Sequence, residues 1–386
     1  MSFFGADQSR TSFMYQFARR LLMTKKASAL LLIVLFCLST ASAQLGNLIN
    51  KNSKNPTTLA VYGDWPYSTE LLNDAPLLLN SINNDDKVRL VLHVGDIHSG
   101  SMKCTGAGFP LGTYPSDPTW NLGIYNIFQQ FYDPVVYTPG DNEWTDCHKK
   151  KEGDGVVGSG APLNELAAVR SLFFANPGYT LGGQTKRVVT QAEAFDPNFP
   201  TDAQFVENVI WEDSQVVFVT LNLPGSNNDG VKWTAPFTNE TARQQEVAER
   251  TAADMRWLQK AFDLAEHDGA RGVLIGIQAD MWDPAQIAAG GDGLNGYDAI
   301  VQELADLSIG FGRPVLLING DSHVYEADQP LADPSSATGV IHGTQAVSNL
   351  TRITVEGSTA ANEWLKLTVD PRTAGIFSWE RIQYLP

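Results

Sequence analysis

The sequence is poor in cysteine, histidine and basic residues, and each shortage limits what the chain can be. Among 386 residues there are 3 cysteines and 6 histidines, and 27 lysines and arginines stand against 43 aspartates and glutamates. The formal net charge is -16, and the isoelectric point is near 4.7. Such a surface repels phosphate groups, so we expect neither nucleic acid nor an anionic membrane as a partner.

Long hydrophobic runs are also missing. The apolar stretch from Ala29 to Leu38 is too short to span a bilayer. It follows a basic segment, 19–26, and precedes Ala41-Ser42-Ala43, which is the order of a secretory signal peptide and its cleavage site. We predict that residues 1–43 are a cleaved signal and that the mature protein is secreted or periplasmic, with no stable membrane anchor. No internal repeat or low-complexity linker interrupts residues 44–386, so we predict a single domain there.

Removal of the signal would take Cys37 with it and leave Cys104 and Cys147. In an oxidising compartment two remaining cysteines form a disulfide by default. Two free buried thiols are the alternative. Each cysteine lies a few residues beyond an acidic motif, at Asp96 and at Asp141, so a disulfide would tie two loops together.

In contrast to these shortages, carboxylates recur at the ends of the predicted strands. Four apolar, β-branched runs, 58–62, 88–94, 134–137 and 314–318, are typical of buried strands. They are followed by Gly63-Asp64, Gly95-Asp96, Gly140-Asp141 and Gly320-Asp321. Residues just past the carboxyl ends of parallel strands converge in one crevice. A single Gly-Asp pair is also an ordinary turn, but four in the same setting indicate a hydrolytic metal site.

The remaining pattern predicts helices that alternate with strands, followed by an all-β end. We predict helices over 71–83, 120–131, 163–174, 239–267 and 296–309. Further strands are predicted over 205–211, 215–221, 273–277, 350–355, 364–369 and 376–382, the first two of which form a hairpin. A βαβ body with a β finish favours an α/β fold in which two sheets pack face to face with helices outside.

In order and spacing, these motifs resemble the calcineurin-like metallophosphoesterases from about Thr58 to Ile382. That family carries Asp-x-His, Gly-Asp, Gly-Asn-His-Asp/Glu, a lone His and Gly-His-x-His. It folds as a four-layer α/β sandwich of two mixed sheets flanked by helices, and it hydrolyses phosphate esters with two metal ions. The resemblance implies the same fold here, with a metal-activated water attacking the phosphorus of a small-molecule phosphate ester.

Carried over residue by residue, the resemblance departs from the family pattern at several positions. Asp64, Asp96 and His323 are preserved, whereas Pro66 stands where the first motif has its His. The implied metal ligands are Asp64, Asp96, Asp141 (family Asn), Asn142 (family catalytic His), Gln278 (family lone His), Asp321 (family His) and His323. The implied catalytic residues are Asn142, His98 and His323.

These departures change the expected metal and leave other interpretations open. An oxygen-dominated ligand set suits manganese, magnesium or calcium better than zinc or iron, so we expect one or two such divalent ions. His98 and His148 are available in place of the missing histidine. His98 could equally cap a turn, whereas we expect His148, which precedes three lysines, to be a solvated loop residue. The alternative function is a catalytically degenerate binding protein on the same fold. A metal-dependent nuclease or phosphodiesterase differs from the first interpretation mainly in substrate.

Overall fold

A computed structural model describes residues 53–104, 119–150, 160–358 and 362–384. The predicted signal peptide and Cys37 lie outside the described residues. The strands are β1 (Thr57–Tyr62), β2 (Val88–His93), β3 (Val135–Tyr137), β4 (Val189–Thr190), β5 (Val209–Asp213), β6 (Val216–Thr220), β7 (Gly272–Gly276), β8 (Val315–Asn319), β9 (Glu326–Asp328), β10 (Leu350–Thr354), β11 (Glu363–Val369) and β12 (Phe377–Gln383).

In the described part of the chain these strands form two mixed sheets. A five-stranded sheet has the order β12-β11-β1-β2-β3, and a seven-stranded sheet has the order β4-β5-β6-β7-β8-β10-β9. Strand β1 pairs in parallel with β2 and antiparallel with β11, and β8 runs parallel to both β7 and β10. The predicted hairpin is β5 and β6. The two-sheet α/β fold predicted from the sequence is therefore confirmed.

The helices are α1 (Thr69–Asn73), α2 (Ala75–Asn83), α3 (Thr119–Phe128), α4 (Pro162–Phe173), α5 (Gln191–Ala194), α6 (Glu240–His267), α7 (Pro284–Ala288), α8 (Asp298–Phe311) and α9 (Gly339–His342). The single helix predicted over 71–83 is wrong, because the chain forms α1 and α2 there. Pro76 lies in the first turn of α2, and its missing N–H and its ring prevent a continuous helix through that position.

Alternating side chains of the central strands divide the core into two clusters. Leu59 and Val61 of β1 pack with Leu274 and Leu316 of the other sheet, so this cluster lies between the sheets. Ala60 and Tyr62 belong to a second cluster that includes helix residues such as Phe128. The period of two along β1 follows from the pleat, and it explains why the strand is buried on both faces.

The acidic motifs reach one place from two sheets rather than one. Asp64, Asp96 and Asp141 lie in the loops that follow β1, β2 and β3 of the five-stranded sheet. Asp321 lies in the loop that follows β8 of the seven-stranded sheet. The loops are joined directly, because the backbone N–H of Asp64 donates to the Gly95 carbonyl at 2.9 Å. The crevice that the sequence places at the ends of parallel strands is thus a cleft built by strands of both sheets.

The described residues belong to one compact unit, Ile49–Pro386. Among them, no helix combines the length and the apolar character that crossing a bilayer requires. The prediction of a single domain over residues 44–386 stays a prediction.

Candidate metal centre

Four residues of the acidic motifs adopt a backbone conformation that L-amino acids rarely populate. The φ angles are 47° for Asp64, 59° for Asp96, 75° for Asp321 and 65° for His323. Aspartate and histidine tolerate this left-handed region better than most residues, yet each instance costs about 1 to 3 kcal/mol. Such strain clusters at functional sites, where the geometry of the site requires it.

Three of these residues form a group of potential metal ligands. Asp64, Asp96 and His323 each offer one ligand atom, and these atoms all lie within 4.8 Å of one another. Nε2 of His323 is 3.6 Å from Oδ1 of Asp64. Both aspartates are buried, whereas the His323 side chain is 38% exposed. The group therefore opens to solvent on the histidine side, where a ligand can enter.

Tyr67 lies at the centre of this group, although the sequence analysis did not select it. Its hydroxyl oxygen is 2.7 Å from Oδ2 of Asp96, 3.2 Å from Oδ1 of Asp64 and 3.2 Å from Nε2 of His323. Burial, followed by the charge of Asp96, raises the pKa of Tyr67 well above its usual value. The hydroxyl therefore stays protonated and acts as a hydrogen-bond donor to a carboxylate. Tyr67 thus holds both aspartates in position.

We expect the substitution Tyr67→Phe to weaken divalent-cation binding by roughly 10- to 100-fold, the usual effect of removing a hydrogen-bond partner of metal ligands. Titration calorimetry with Mn²⁺ measures the change. Tyr132→Phe is the matched control, because Tyr132 is 64% exposed, and its affinity should equal that of the unmodified chain. An unchanged affinity in Tyr67→Phe would show that the hydroxyl does not support the centre.

Two further predicted ligands, Asn142 and Gln278, also contact Asp96, but through N–H groups that donate hydrogen bonds. Nδ2 of Asn142 lies 2.8 Å from Oδ2 of Asp96, and the backbone N–H of Asn142 donates to Oδ1 at 3.1 Å. Nε2 of Gln278 donates to Oδ2 of Asp96 at 3.2 Å and to Oδ1 of Asp141 at 3.1 Å. Asn142 and Gln278 therefore face Asp96 with N–H groups rather than with oxygen ligands.

Asp321 supports the centre mainly through its backbone. Its N–H donates to both carboxylate oxygens of Asp64, at 3.1 Å each. Its own Oδ2 accepts from the backbone N–H of Asp280 at 3.1 Å. Asp280 in turn pairs with Nη1 of buried Arg352 at 2.6 Å. The structure does not include the Asp321 carboxylate in the group formed by Asp64, Asp96 and His323.

The centre is short of positive charge. Burial raises the pKa of Asp64 to about 8, although hydrogen bonds from Asp321 and Tyr67 oppose the shift. Burial, together with the charge of Asp146, raises the pKa of Asp141 to about 7. Burial and the neighbouring acids Asp141 and Glu143 also raise the pKa of Asp96 well above its usual value. Burial lowers the pKa of His323, which favours the neutral imidazole that a metal requires. Buried carboxylates beside a neutral imidazole form a donor set that fits a divalent cation.

Other residues near the motifs have structural partners. His98 is buried, with Nδ1 3.1 Å from the Ser99 carbonyl oxygen, and its catalytic role stays a prediction. The expectation that His148 is solvated is wrong, because the residue is 1% exposed and Nδ1 accepts from the Thr234 N–H at 3.1 Å. Glu143 accepts from the N–H groups of Ile97 and Gly140 and so ties two motif loops together.

The predicted disulfide between Cys104 and Cys147 is confirmed. The two Cα atoms are 5.7 Å apart, and the sequence separation is 43 residues. Cys147 lies in a short 3₁₀ helix, Thr145–His148, that follows the Asp141 motif. The bond therefore joins the loop after β2 to the loop after β3.

We expect the double substitution Cys104→Ser and Cys147→Ser to lower the free energy of unfolding by about 4 kcal/mol. This magnitude is the loop-closure entropy of the closed segment in the chain-entropy description. Urea unfolding of the variant and of the oxidised wild type measures it, with the reduced wild type as the matched control. A loss below about 1 kcal/mol would contradict the stabilising role.

The described residues thus form an α/β sandwich of two mixed sheets, with a carboxylate-rich cleft where strand ends of both sheets meet. No protein-family model and no curated protein matches the chain. Similar solved structures include GAP50, the anchor in the inner membrane complex of Plasmodium, at 11% identity and a TM-score of 0.39, covering 85% of this chain and 89% of that chain.

Two nucleotidase structures are also similar to this chain. The 5'-nucleotidase precursor of Thermus thermophilus has 10% identity and a TM-score of 0.42, covering 85% of this chain and 54% of that chain. The NAD nucleotidase of Haemophilus influenzae has 12% identity and a TM-score of 0.40, with coverages of 85% and 55%. The chain thus spans about half the length of each nucleotidase. At these identities the likeness concerns the fold alone.

Proposed function

We propose that this protein is an exported, divalent-metal-dependent hydrolase of small phosphate esters. The observation that carries the proposal is the meeting of Asp64, Asp96 and His323, whose ligand atoms lie within 4.8 Å of one another. They come from three separate strand ends in two sheets, so their meeting is a property of the fold and not of one local turn. The disulfide supports an oxidising compartment.

Asp64, Asp96 and His323 would hold the cation. Two carboxylates with one imidazole suit manganese or magnesium, and calcium is compatible with the oxygen-rich surroundings. A bound divalent cation supplies Lewis acidity, which polarises a phosphoryl oxygen and acidifies a water molecule.

The chain's own residues orient the ligands. Tyr67 and Asn142 fix Asp96 through hydrogen bonds of 2.7 and 2.8 Å. The Asp321 N–H fixes Asp64 in the same way. Since Nε2 of His323 is the nitrogen that faces Asp64 and Tyr67, we assign His323 to metal ligation rather than to proton transfer.

Asn142 occupies the family position of the catalytic histidine and cannot replace its chemistry. A carboxamide forms hydrogen bonds but does not ionise at neutral pH, so it cannot act as a general acid or base. We therefore assign Asn142 to positioning. Without a general acid at this position, the leaving oxygen departs largely unprotonated. The enzyme should therefore strongly prefer esters with acidic leaving groups, such as aryl phosphates, over alkyl phosphates.

The test is hydrolysis of 4-nitrophenyl phosphate, bis(4-nitrophenyl) phosphate and an alkyl phosphate by the purified chain. Each is assayed before chelation, after chelation and after readdition of Mn²⁺, Mg²⁺, Ca²⁺ or Zn²⁺. We expect chelation to stop aryl ester turnover, Mn²⁺ or Mg²⁺ to restore it, and the alkyl ester to react far more slowly. Turnover that resists chelation, or its absence with every ion, would overturn the proposal.

A further inference from the structure

A left-handed turn after β6 presents hydrogen-bond donors to the side of the centre that is formed by Asp141 and Gln278. Ser226, Asn227 and Asn228 have φ angles of 53°, 59° and 59° with ψ angles of 39°, 43° and 44°, and Asp229 follows with φ 57°. A left-handed helical conformation costs L-residues roughly 1 to 2 kcal/mol each. Four such residues in succession require strong support from the surrounding structure.

That support comes from buried neighbours. The guanidinium of Arg250, which is 0% exposed, donates to the carbonyl oxygen of Asn228 at 3.2 Å and to that of Asn222 at 3.4 Å. The N–H of Gly296 donates to Oδ1 of Asn227 at 2.7 Å. The turn is therefore held rigidly in place.

The turn directs two donors at the acidic motifs. The backbone N–H of Gly225 donates to Oε1 of Gln278. The hydroxyl oxygen of Ser226 lies 2.8 Å from Oδ2 of Asp141 and 2.8 Å from Oδ1 of Asp146. A side chain at position 225 would displace the Asp321 carboxylate, because an added Cβ would lie 2.6 Å from Oδ1 of Asp321.

The Gly225 N–H fixes which way the Gln278 amide faces. Rotating the amide by half a turn would set its NH₂ against the Gly225 N–H, placing two donors together. In the orientation that satisfies Gly225, the NH₂ group lies between Asp96 and Asp141, 3.2 and 3.1 Å from their oxygens. It occupies the place where a cation would have to lie to bridge these two carboxylates.

Lys149 supplies positive charge on the same side. Its Nζ is 2.6 Å from Oδ2 of Asp146 and 2.8 Å from Oγ of Ser226. Because Ser226 also contacts Asp141, a continuous chain of hydrogen bonds links the ammonium to that carboxylate. The Asp141 side of the centre thus has internal compensation, whereas no lysine or arginine among the described residues pairs with Asp64 or Asp96.

From these contacts we infer that the centre holds one divalent cation per chain, at Asp64, Asp96 and His323. The second position of a two-metal arrangement, between Asp96 and Asp141, is filled by the Gln278 amide, and Lys149 provides charge beside it. This inference rests on the proposed function and restricts it to chemistry with a single metal ion.

Equilibrium dialysis of the full chain against Mn²⁺, followed by elemental analysis, tests the inference by counting ions. We expect one ion per chain for the wild type and two for Gln278→Glu, in which a carboxylate replaces the NH₂ group. Gln278→His is the second variant and is also expected to bind two, in case Gln278→Glu fails to fold. Gln130→Glu is the matched control, because Gln130 is exposed on the surface, and it should bind one.

The outcomes separate this inference from the proposed function. Two ions in the wild type would overturn the single-cation assignment and leave the hydrolase proposal standing. A wild type that binds no ion would overturn the hydrolase proposal itself. Folded Gln278 variants that still bind one ion would show that the amide is not what excludes the second cation. The electron paramagnetic resonance spectrum of bound Mn²⁺ gives an independent readout, since two neighbouring ions couple and a single ion does not.

Discussion

Asp96→Asn is expected to abolish metal binding and turnover together. Oδ2 of Asp96 accepts hydrogen bonds from Tyr67, Asn142 and Gln278. This carboxylate therefore connects the group formed with Asp64 and His323 to the side of the centre that holds Gln278. Asparagine removes the negative charge. Its NH₂ group also replaces one of the two oxygens that accept hydrogen bonds, so that donors face each other there. We expect a loss of metal affinity greater than the roughly 10- to 100-fold caused by removing a partner of a ligand, with a parallel fall in kcat/KM.

The matched control for this variant is Asp263→Asn, an equally conservative change at an exposed position of α6. It should keep full metal affinity and turnover. Circular dichroism of both variants separates a lost site from a lost fold. A folded Asp96→Asn variant with wild-type turnover would refute the assignment of the site.

The second large effect is on the pH dependence of stability. The pKa of Asp64 is about 8 in the folded, metal-free chain, against a reference of 3.8. A carboxyl group whose pKa is raised by folding binds its proton more tightly in the folded state, so its stabilising contribution is lost as pH rises through the folded value. Between pH 6.5 and 8, deprotonation of the coupled buried carboxyl groups of Asp64 and Asp141 should lower the free energy of unfolding of the metal-free protein, by an amount on the order of 2 kcal/mol.

This pH window avoids an opposing contribution. Burial lowers the pKa of His93 to about 3 from 6.5, so His93 makes stability rise with pH, but only below about pH 6.5. Thermal unfolding from pH 6.5 to 8.5 with chelator therefore reports the buried carboxyl groups with raised pKa values: Asp64 and Asp141 in the centre, and Asp229, whose pKa burial raises to about 8. A metal-free chain whose Tm does not fall over this window would contradict the expected charge imbalance.

A bound cation should remove much of this loss. At a metal concentration 100-fold above Kd, binding adds about 2.7 kcal/mol to the free energy of unfolding. We expect Mn²⁺ to raise Tm most at the alkaline end of the window, because protons no longer compete for the carboxylates. Asp96→Asn is the control, and its Tm should not respond to Mn²⁺.

Much of the fold could be predicted because its strands are strongly patterned. The runs at 58–62 and 88–94 are uninterrupted and β-branched, and they become β1 and β2 with nearly the predicted ends. The disulfide followed from cysteine number and compartment alone. The break between α1 and α2 was also readable, since Pro76 was visible within the predicted helix.

The rest of the site depends on contacts between distant segments, which local patterns do not encode. Tyr67 is a lone tyrosine in the loop after Asp64, and only the fold brings its hydroxyl to Asp96 and His323. The orientation of the Gln278 amide depends on Gly225, 53 residues away. The run from Gly225 to Asp229 contains residues that tolerate positive φ, and its position after a strand was the signal that could have drawn attention to it.

The metal content of the purified chain, measured on the same chromatographic fractions as aryl phosphate hydrolysis, decides whether the protein is a metal-dependent hydrolase. We expect about one divalent ion per chain, eluting with turnover that a chelator abolishes and Mn²⁺ or Mg²⁺ restores. A folded chain that carries no metal, binds none on addition and hydrolyses no ester would contradict it. That result would favour a binding protein on the same fold, with Tyr67 and the Gln278 amide satisfying the carboxylates in place of a cation.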